Sequence, residues 1–505
     1  MFYRGYQAEM KLVYLNGPYR GLPYSRSSRS PAVTKSGTIY YPLWLAYAAG
    51  VARQKLQAVV QSVGDGTDGY QIEVVDAIAR KWDRKDIIEH LRAGGEPDLV
   101  FCDTSTPSIH EDIATAGAIK EAFPKCRVVM VGTHATALPE EVLNADRRID
   151  AVARGEFDLT AVELALAIKQ GRNWQSVNGL SIRRGDEIEH TAARQLISNL
   201  DELPFVSEIY RDFLNVEDYF FAAAQFPMVM IITSRGCPHH CKWCLYPQVM
   251  HQGKYRLRSS ENVAAEFAFI SETMPQVREI GIEDDLFTGN KKRLREICRL
   301  LIQQNNRLNF WCDTRVDLDY ETMRLMKAAG CRMLIAGFES ASQEILDSIG
   351  KGTQKEQAFT FMHDARRAGL LVHGCFVVGN PGETTQTMRG TLDFAKELSP
   401  DTAQFFPMIV YPGTAMYNWA RENNYLRSED YNQWLSPAGM HNSMVDLPGL
   451  KAEEVVKFCG HARREFYLRG SYIFHKLAQS FMNVHEAKRN IKALRTFAHH
   501  LVRSA

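Results

Sequence analysis

Three cysteines, Cys237, Cys241 and Cys244, lie in the run Thr-Ser-Arg-Gly-Cys-Pro-His-His-Cys-Lys-Trp-Cys over 233–244, a C-x3-C-x2-C spacing. Three thiolates on one short loop can hold three irons of a four-iron cluster and leave the fourth open to a ligand that is not protein. Such a site suits redox cleavage of a bound small molecule better than electron storage, which normally uses four cysteines. Zinc is a rival occupant, with His239 or His240 as the fourth ligand, although structural zinc sites more often use paired C-x2-C arms and no second arm lies nearby. A disulfide would leave one thiol over, and nothing marks the chain as secreted.

The elements that position this loop are legible around it. Met228–Ile232 is continuously apolar and reads as a buried parallel strand. Further strand-like runs follow in order, each ending in polar or glycine residues: Ile282-Glu283-Asp284-Asp285-Leu286-Phe287, Cys312-Asp313-Thr314-Arg315, Gly337-Phe338-Glu339-Ser340, Gly374-Cys375-Phe376-Val377-Val378-Gly379-Asn380-Pro381-Gly382-Glu383 and, after a sixth strand, Tyr411-Pro412-Gly413-Thr414. Their spacing predicts a partial (β/α)6 barrel, placed here at 228–424. Asp284 and Asp285 read either as site contacts or as caps of a helix starting near Asn290.

The N-terminal third alternates strand and helix. Strands are expected at Lys11–Asn16, Ala58–Val63, Ile72–Val75, Asp98–Cys102, Arg127–Val131 and Ile149–Val152, and helices at Leu43–Leu56, Arg84–Arg92, Ile109–Ala122, Pro139–Asn144 and Leu159–Gln170. This predicts an α/β, doubly wound (Rossmann-like) domain over 1–170, whose ligand sits at the carboxyl ends of its strands. Those ends are Asp103-Thr104-Ser105-Thr106-Pro107-Ser108, Gly132-Thr133-His134-Ala135-Thr136 and Arg154-Gly155-Glu156, small and polar enough for a ligand to approach the backbone. No G-x-G-x-x-G opens a helix, so a dinucleotide is not indicated. A connector over 171–227 carries a hairpin at Leu180–Arg183 and Ile188–Thr191. Residues 425–505 are read as a helical C-terminal domain.

The cysteine loop and the ordered strand ends resemble the radical S-adenosylmethionine superfamily. The resemblance implies that Cys237, Cys241 and Cys244 hold a 4Fe-4S cluster whose open iron chelates S-adenosylmethionine, with Trp243 in the family's aromatic position near the adenine. It further implies cofactor contacts by Asp284, Arg315, Glu339, Ser340 and the Gly379-x-Pro381 turn. An unpartnered Glu339 in an apolar strand would be a costly buried charge, which favours a ligand there. One electron from the cluster then yields a 5′-deoxyadenosyl radical, sheltered in the barrel.

The N-terminal segments, including Tyr40-Tyr41-Pro42-Leu43-Trp44-Leu45-Ala46-Tyr47, resemble the cobalamin-binding domain that precedes the barrel in one large class of these enzymes. By that resemblance Thr104, Ser105, Thr106, Gly132, Thr133, His134, Gly155 and Glu156 surround cobalamin. The D-x-H-x-x-G motif of methyl-transferring and mutase domains is missing, since Asp86, His90 and Gly94 have the wrong spacing. His134 reads as a cobalt-facing group or, more commonly for such a turn, as a backbone or corrin-amide contact. The commonest reaction of the class is methylation of an unactivated carbon, which needs no protein nucleophile. Cyclisation or ring rearrangement without methyl transfer is the alternative. Transfer-RNA methylthiolation would need a second three-cysteine cluster, and the N-terminal domain has only Cys102 and Cys126. A non-enzymatic cobalamin sensor has no use for an open iron. Tyr19, Arg20, Tyr24, Arg26 and Arg29, after the first strand, are candidates to reach the substrate.

Composition sets the outer limits. A 45% hydrophobic, 24% charged chain of net charge +1 is an ordinary globular protein and argues against bulk nucleic-acid binding. The start has no apolar leader, and the longest apolar stretches, Tyr40–Ala52 and Phe220–Ile232, are too short to span a bilayer. Ten cysteines fit a reducing cytoplasm. Most outside the loop read as small buried hydrophobes, while Cys312 and Cys375 stand at barrel-strand positions that can face a site. The expected partners are a small-molecule or lipid-like substrate and an external one-electron reductant of the flavodoxin or ferredoxin type. From Lys451 to Ala505 there are eleven basic and four acidic residues. That stretch reads as an amphipathic helix closing the barrel's open side, or as a peripheral membrane contact.

Overall fold

The computed structural model describes residues 9–34, 36–63, 69–474 and 476. Contacts divide the chain into two units. The first takes the chain up to Pro31, then Ile39–Asp218 and Leu245–Gln252; the second takes Ala32–Thr38, Tyr219–Cys244 and the chain from Gly253 onward.

The first unit is built on a seven-stranded sheet: β1 (Met10–Asn16), β2 (Tyr70–Asp76), β3 (Leu99–Thr104), β4 (Arg127–Gly132), β5 (Ala151–Ala153), β6 (Leu180–Arg184) and β7 (Glu187–His190). The spatial order is β2-β1-β3-β4-β5-β6-β7, parallel through β5 and antiparallel beyond. β1 and β3 are buried along their whole length, as expected of central parallel strands. The chain leaves β1 to one side for β2 and returns to the other for β3, so the sheet's switch point lies between β1 and β3.

Two sequence expectations change here. Ala58–Val63 is not a strand but the end of one helix, Leu43–Val63. Its β-branched pair suggested a strand, yet no breaker separates it from the alanine-rich turns before it, and Val59 and Val60 are half-exposed rather than core. The hairpin placed in the connector extends the sheet instead, with Val152 opposite Ser181.

The second unit carries six parallel strands in chain order: β8 (Met228–Ile231), β9 (Glu279–Ile282), β10 (Asn309–Thr314), β11 (Cys331–Glu339), β12 (Leu371–Val378) and β13 (Thr402–Pro407). Helices join consecutive strands, which is the partial (β/α)6 arrangement. One face is packed with aromatics. Phe338 stacks on Phe376 at 5.5 Å and Phe376 on Phe405 at 5.2 Å, and Phe361 and Phe466 reach them from the covering helices.

The outer edge of β13 is covered by helix Ala452–Tyr467. Tyr467 Oη accepts from the Ala403 N–H at 2.9 Å and donates to the Ala403 carbonyl at 2.7 Å, so one side chain closes both ladder groups of an edge residue. Val455, Cys459, Ala462 and Phe466 are buried, so the helix's apolar side is already used within this unit. This matches the expectation of a helix closing the open side. Residues 425–450, expected to be helical, are instead irregular, with short bridges such as Leu426 to Val445 and a 3-10 turn at Tyr431–Trp434. Most of the basic stretch, 477–505, lies outside the described residues. Among the described residues no helix is long and apolar enough to cross a membrane.

Tyr467→Phe is expected to orphan the Ala403 backbone pair and destabilise the chain by about 1–3 kcal/mol. Urea unfolding measures it; an unchanged midpoint would remove the tyrosine from the edge's support.

Candidate active site

The cysteine loop leaves the end of β8 and is pinned there by a carboxylate. Asp284, fully buried beyond β9, accepts from the Thr233 N–H (2.5 Å), Thr233 Oγ1 (2.6 Å), Ser234 N–H (3.0 Å) and Ser234 Oγ (2.7 Å). Asp285 accepts from the Gly236 N–H at 3.2 Å, and Gly236 adopts φ +84°, a turn suited to glycine. Arg293 Nη2 donates to the Thr233 carbonyl at 2.8 Å. Asp284 was expected at the cofactor. Its two oxygens are taken up by the base of the loop, so it acts on the cysteines through the backbone. Nor does it cap a helix, since Asn290 itself caps Lys291–Gln303.

The loop's far side rests on the segment after helix Gln343–Ser348. Lys242 N–H donates to the Ile349 carbonyl at 3.0 Å, and a Cβ on Gly350 would stand 3.3 Å from the His240 carbonyl. Lys351 follows, its ammonium 2.6 Å from Glu339 Oε1, with both side chains buried. Glu339 thus has the partner that sequence reasoning lacked. It also sits at φ +62°, a strained conformation for a non-glycine residue and one that collects at functional sites. Gly337 is required by the pair: a Cβ there would come within 2.6 Å of Lys351 Nζ. The Gly350-Lys351-Gly352 run, a lysine between two positive-φ glycines, is the signal that was missed.

The thiols differ. Burial pushes Cys237 up to about 11. Cys241 is pulled down to about 6, first by the hydrogen bond with Cys244 and then by the Lys351 charge, while Cys244, holding the shared proton, is raised. Burial pulls the Lys351 ammonium down, but Glu339 and Cys241 more than offset it, so it stays charged beside the loop. A cationic surround favours thiolates and hence metal binding. Among the described residues no three His, Cys, Asp or Glu side chains converge as they would on a single ion; ligands of a four-iron cluster each hold a different iron and need not.

Around the cysteine loop and these strand ends, Trp243 Nε1, Arg315 Nε and Asn380 Oδ1 are buried with no hydrogen-bond partner among the described residues. Each such orphan costs about 1–3 kcal/mol, which a polar cofactor would relieve. Arg315 also donates from Nη2 to the Gly352 carbonyl at 3.1 Å. Two other expected contacts are otherwise engaged. Ser340 is fully buried, its Oγ accepting from the Ser342 N–H at 3.1 Å and 3.3 Å from Thr391 Oγ1. Gly379, at φ +86°, leaves room for Val455, 3.0 Å from where its Cβ would be. The Pro381 carbonyl accepts from Ser348 Oγ at 3.3 Å.

In the first unit the strand ends behave as a separate site. Thr104 Oγ1 donates to the Val131 carbonyl (2.6 Å) and accepts from the Ala135 N–H (3.1 Å), tying β3 to the turn after β4. Gly132, at φ +96°, admits no side chain, because a Cβ would lie 2.4 Å from Asp103 Oδ1. His134 is fully buried. Its Nδ1 is 3.1 Å from Thr106 Oγ1 and its Nε2 3.8 Å from Glu141, and burial lowers its pKa, keeping the ring neutral. The Gly155 N–H donates to Thr136 Oγ1 at 3.0 Å. Glu156 carries a different load from the one expected. Its Oε1 is 2.7 Å from His251 Nδ1, both buried, and the His251 ring lies 5.3 Å from Trp44.

In the loop after β1, Arg26 and the two tyrosines are engaged within the chain. Arg26 pairs with Asp112 at 2.6 Å, donates to the Gly17 carbonyl at 3.0 Å and also bonds Asn16. Tyr24 Oη is 2.7 Å from Ser105 Oγ and its ring stacks on Tyr19 at 4.4 Å. A buried guanidinium needs its carboxylate, and the pair fills the switch point with protein. Arg20, half-exposed, lies over Tyr19 at 5.4 Å and 3.6 Å from Glu111.

Comparisons with known proteins agree with this geometry. Residues 231–395 match the Radical SAM superfamily and residues 29–165 the B12 binding domain. The chain is 31% identical over 434 residues to an uncharacterized methyltransferase of Pyrococcus horikoshii, covering 86% of this chain and 89% of that one. It is 28% identical to the anaerobic magnesium-protoporphyrin IX monomethyl ester cyclase of Rubrivivax gelatinosus, covering 74% and 65%. In fold it is similar to the radical S-adenosylmethionine methyltransferase TsrM of Kitasatospora setae, solved with cobalamin and a 4Fe-4S cluster (TM-score 0.67, 18% identity, 90% of this chain and 91% of that one). The chain therefore belongs to the cobalamin-binding branch of the radical S-adenosylmethionine superfamily. It is an enzyme whose cofactors are a 4Fe-4S cluster, S-adenosylmethionine and cobalamin, and it needs an external reductant and a small-molecule substrate.

Two outcomes are expected. Asp284→Ala, which strands four donors, lowers iron bound per chain after reconstitution with the cysteines intact; full iron content would sink its anchoring role. Burial raises the Asp103 carboxyl to about 7, whereas an unfolded aspartate releases its proton near ~4. Unfolding between those values releases a proton, so stability falls as pH rises through that window. Asp103→Asn should flatten that fall in thermal midpoints measured from pH 4 to 7.

Proposed function

We propose that this enzyme is a C-methyltransferase acting on an unactivated carbon of a natural-product or lipid-like substrate. The observation that carries the reading is the presence in one chain of two preformed sites: a three-thiol loop held by Asp284 in the second unit, and a small-residue rim at Thr104, Gly132 and Gly155 in the first. The methyltransferase name of the Pyrococcus relative supports it. The cyclase name of the Rubrivivax relative supports the alternative, ring formation without methyl transfer.

In this proposal residues 1–170 hold cobalamin, the hairpin within 171–227 extends their sheet before the chain crosses over, 228–424 form the radical barrel and 425–505 follow it. When bound, the cluster and S-adenosylmethionine supply a hydrogen-abstracting radical and cobalamin supplies a transferable methyl group. The chain's residues do the rest. Cys237, Cys241 and Cys244 hold three irons, with Asp284 and Asp285 fixing their loop. Lys351 balances the thiolate charge and orients Glu339 toward the cofactor's amino-acid or ribose part. Arg315 and Trp243 offer their unpaired N–H groups to S-adenosylmethionine, and Asn380, next to the Gly379 and Pro381 turn, offers an acceptor. Thr104, Ser105, Thr106 and Thr133 would line the corrin, with the neutral His134 ring beside Thr106 and Glu156 held by His251. The reductant is of the flavodoxin or ferredoxin type.

The test is anaerobic reconstitution with iron, sulfide and hydroxocobalamin, then S-adenosylmethionine and reductant without substrate, read by mass spectrometry. Both 5′-deoxyadenosine and methylcobalamin are expected, and Cys241→Ala should abolish the former with cobalamin still retained. 5′-Deoxyadenosine with bound but unmethylated cobalamin would move the assignment to cyclisation or rearrangement. Failure to retain cobalamin would remove the first unit's role.

A further inference from the structure

The end of the barrel away from the cysteine loop collects apolar side chains that the core does not use. Among the described residues six large apolar side chains are exposed, and five of them lie at the amino-terminal ends of the strands. Phe226 immediately precedes β8, and Ile302 is in the last turn of the helix Lys291–Gln303, which leads into β10. Leu468, Ile473 and Phe474 follow the helix Ala452–Tyr467, and are 50%, 46% and 75% exposed. Their segment is fixed beside the start of β13. The Tyr472 hydroxyl donates to the Asp401 carbonyl at 2.9 Å, and Arg469 Nη2 donates to Ser399 Oγ at 2.9 Å. One exposed apolar residue is ordinary, whereas this many at one end mark a contact surface.

The same end is basic. In the last helical turns and loops that run into β9–β13, Arg278, Arg307, Lys327, Arg366 and Arg367 are exposed, against Glu272 and Glu397. Cations in a helix's last turn complement its dipole, which accounts for Lys327, Arg366 and Arg367. Arg278 and Arg307 stand beyond their helices, and the dipole does not explain exposed phenylalanines. Lys476, the last described residue, is 3.5 Å from Asp401, so residues 477–505 leave the barrel from this end. Their sequence holds five Lys or Arg and one Glu, with Leu477, Phe481, Val484, Ile491, Leu494 and Leu501 at helical spacing.

β8 and β13 are the two edge strands of the sheet, so Phe226 and Phe474 stand at its two margins and the apolar side chains are spread over a face rather than gathered in a groove. A second copy of the chain set on this face by two-fold symmetry would bring its arginines against their own kind. A flat anionic surface suits both the spread and the charge. We propose that this end of the barrel docks on a bilayer rich in anionic lipid, with the apolar side chains at the headgroup level and the arginines over the phosphates. No helix among the described residues crosses a membrane, so the contact is peripheral. The cysteine loop, at the opposite ends of the same strands, points away from the lipid. The inference goes beyond the methyl-transfer reading and does not depend on it.

The test is co-sedimentation of the full chain, reconstituted with cluster and cobalamin, with vesicles of phosphatidylcholine alone or mixed equally with phosphatidylglycerol. Binding is expected to the mixed vesicles only, and is lost in high salt. Phe474→Glu should weaken it about tenfold, and Arg278→Gln and Arg307→Gln about fivefold each. Lys292→Gln, which removes an exposed cation at the other end of the helix Lys291–Gln303, should leave it unchanged. Iron and cobalamin content, equal in every variant, separates docking from misfolding. No binding to the mixed vesicles at low salt, equal binding to both vesicles, or equal weakening by Lys292→Gln would each overturn the proposal. So would full binding by the phenylalanine and arginine variants, which would leave 477–505 as the sole contact. A dimer in light scattering that Phe474→Glu dissociates, with no vesicle binding, would assign the face to a second copy instead. None of these readouts uses turnover, so a failure to form methylcobalamin leaves them standing.

Discussion

The second unit hangs on one buried carboxylate. Asp284 receives two backbone N–H groups and two hydroxyls from Thr233 and Ser234, the last residues before the cysteine loop turns away from its strand. A loop that carries three thiolates cannot be held by apolar packing alone, because its function is to stay open to a ligand. Charge-assisted hydrogen bonds to its root supply rigidity without covering its tip. Arg293 and Arg258, both donating to carbonyls at the same strand end, extend that anchorage outward. The ion pair of Lys351 and Glu339 completes it on the other side. There, strain at Glu339 and the absence of a side chain at Gly337 are the geometric conditions for the pair to exist.

The same logic governs the first unit with different parts. Its switch point, where an open α/β sheet usually receives a ligand, is occupied by Arg26 and Asp112 from its own chain. The neighbouring ends at Thr104, Gly132 and Gly155 remain small. Gly132 keeps the turn after β4 against the backbone of Thr104, and in the proposed reading the ligand lies toward β3, β4 and β5 rather than in the β1/β3 crevice.

Much of this was legible in the sequence. The cysteine spacing stated its chemistry, and the apolar runs ending in polar residues marked five of the strand ends, because parallel strands buried under helices leave an uninterrupted apolar signature. What was not legible depends on partners distant in sequence. Glu339 read as an unpaired charge because Lys351 lies in a glycine-flanked loop with no periodicity to flag it. Glu156 read as a cofactor contact because nothing in the run Met250-His251-Gln252 announces that its histidine returns to the first unit. Asp284 read as a cofactor ligand because its claimants, Thr233 and Ser234, are 51 and 50 residues away in the chain. The helix Leu43–Val63 hid its last turns behind two valines, where local preference and context disagree.

Cys244 belongs to one unit and Leu245, the next residue, to the other. From Leu245 to Gln252 the chain lies among first-unit residues, with Tyr246 donating to the Ser27 carbonyl at 3.3 Å and His251 held by Glu156. Neither unit is thus a continuous stretch that could be cut out and exchanged as a cassette. A gene fragment ending before the cysteines would encode a first unit missing an inner strut. Recombination at the apparent domain boundary would separate Trp44 and Glu156 from the histidine they enclose. The two halves are bound to a common inheritance, and divergence toward new substrates is left to positions within them.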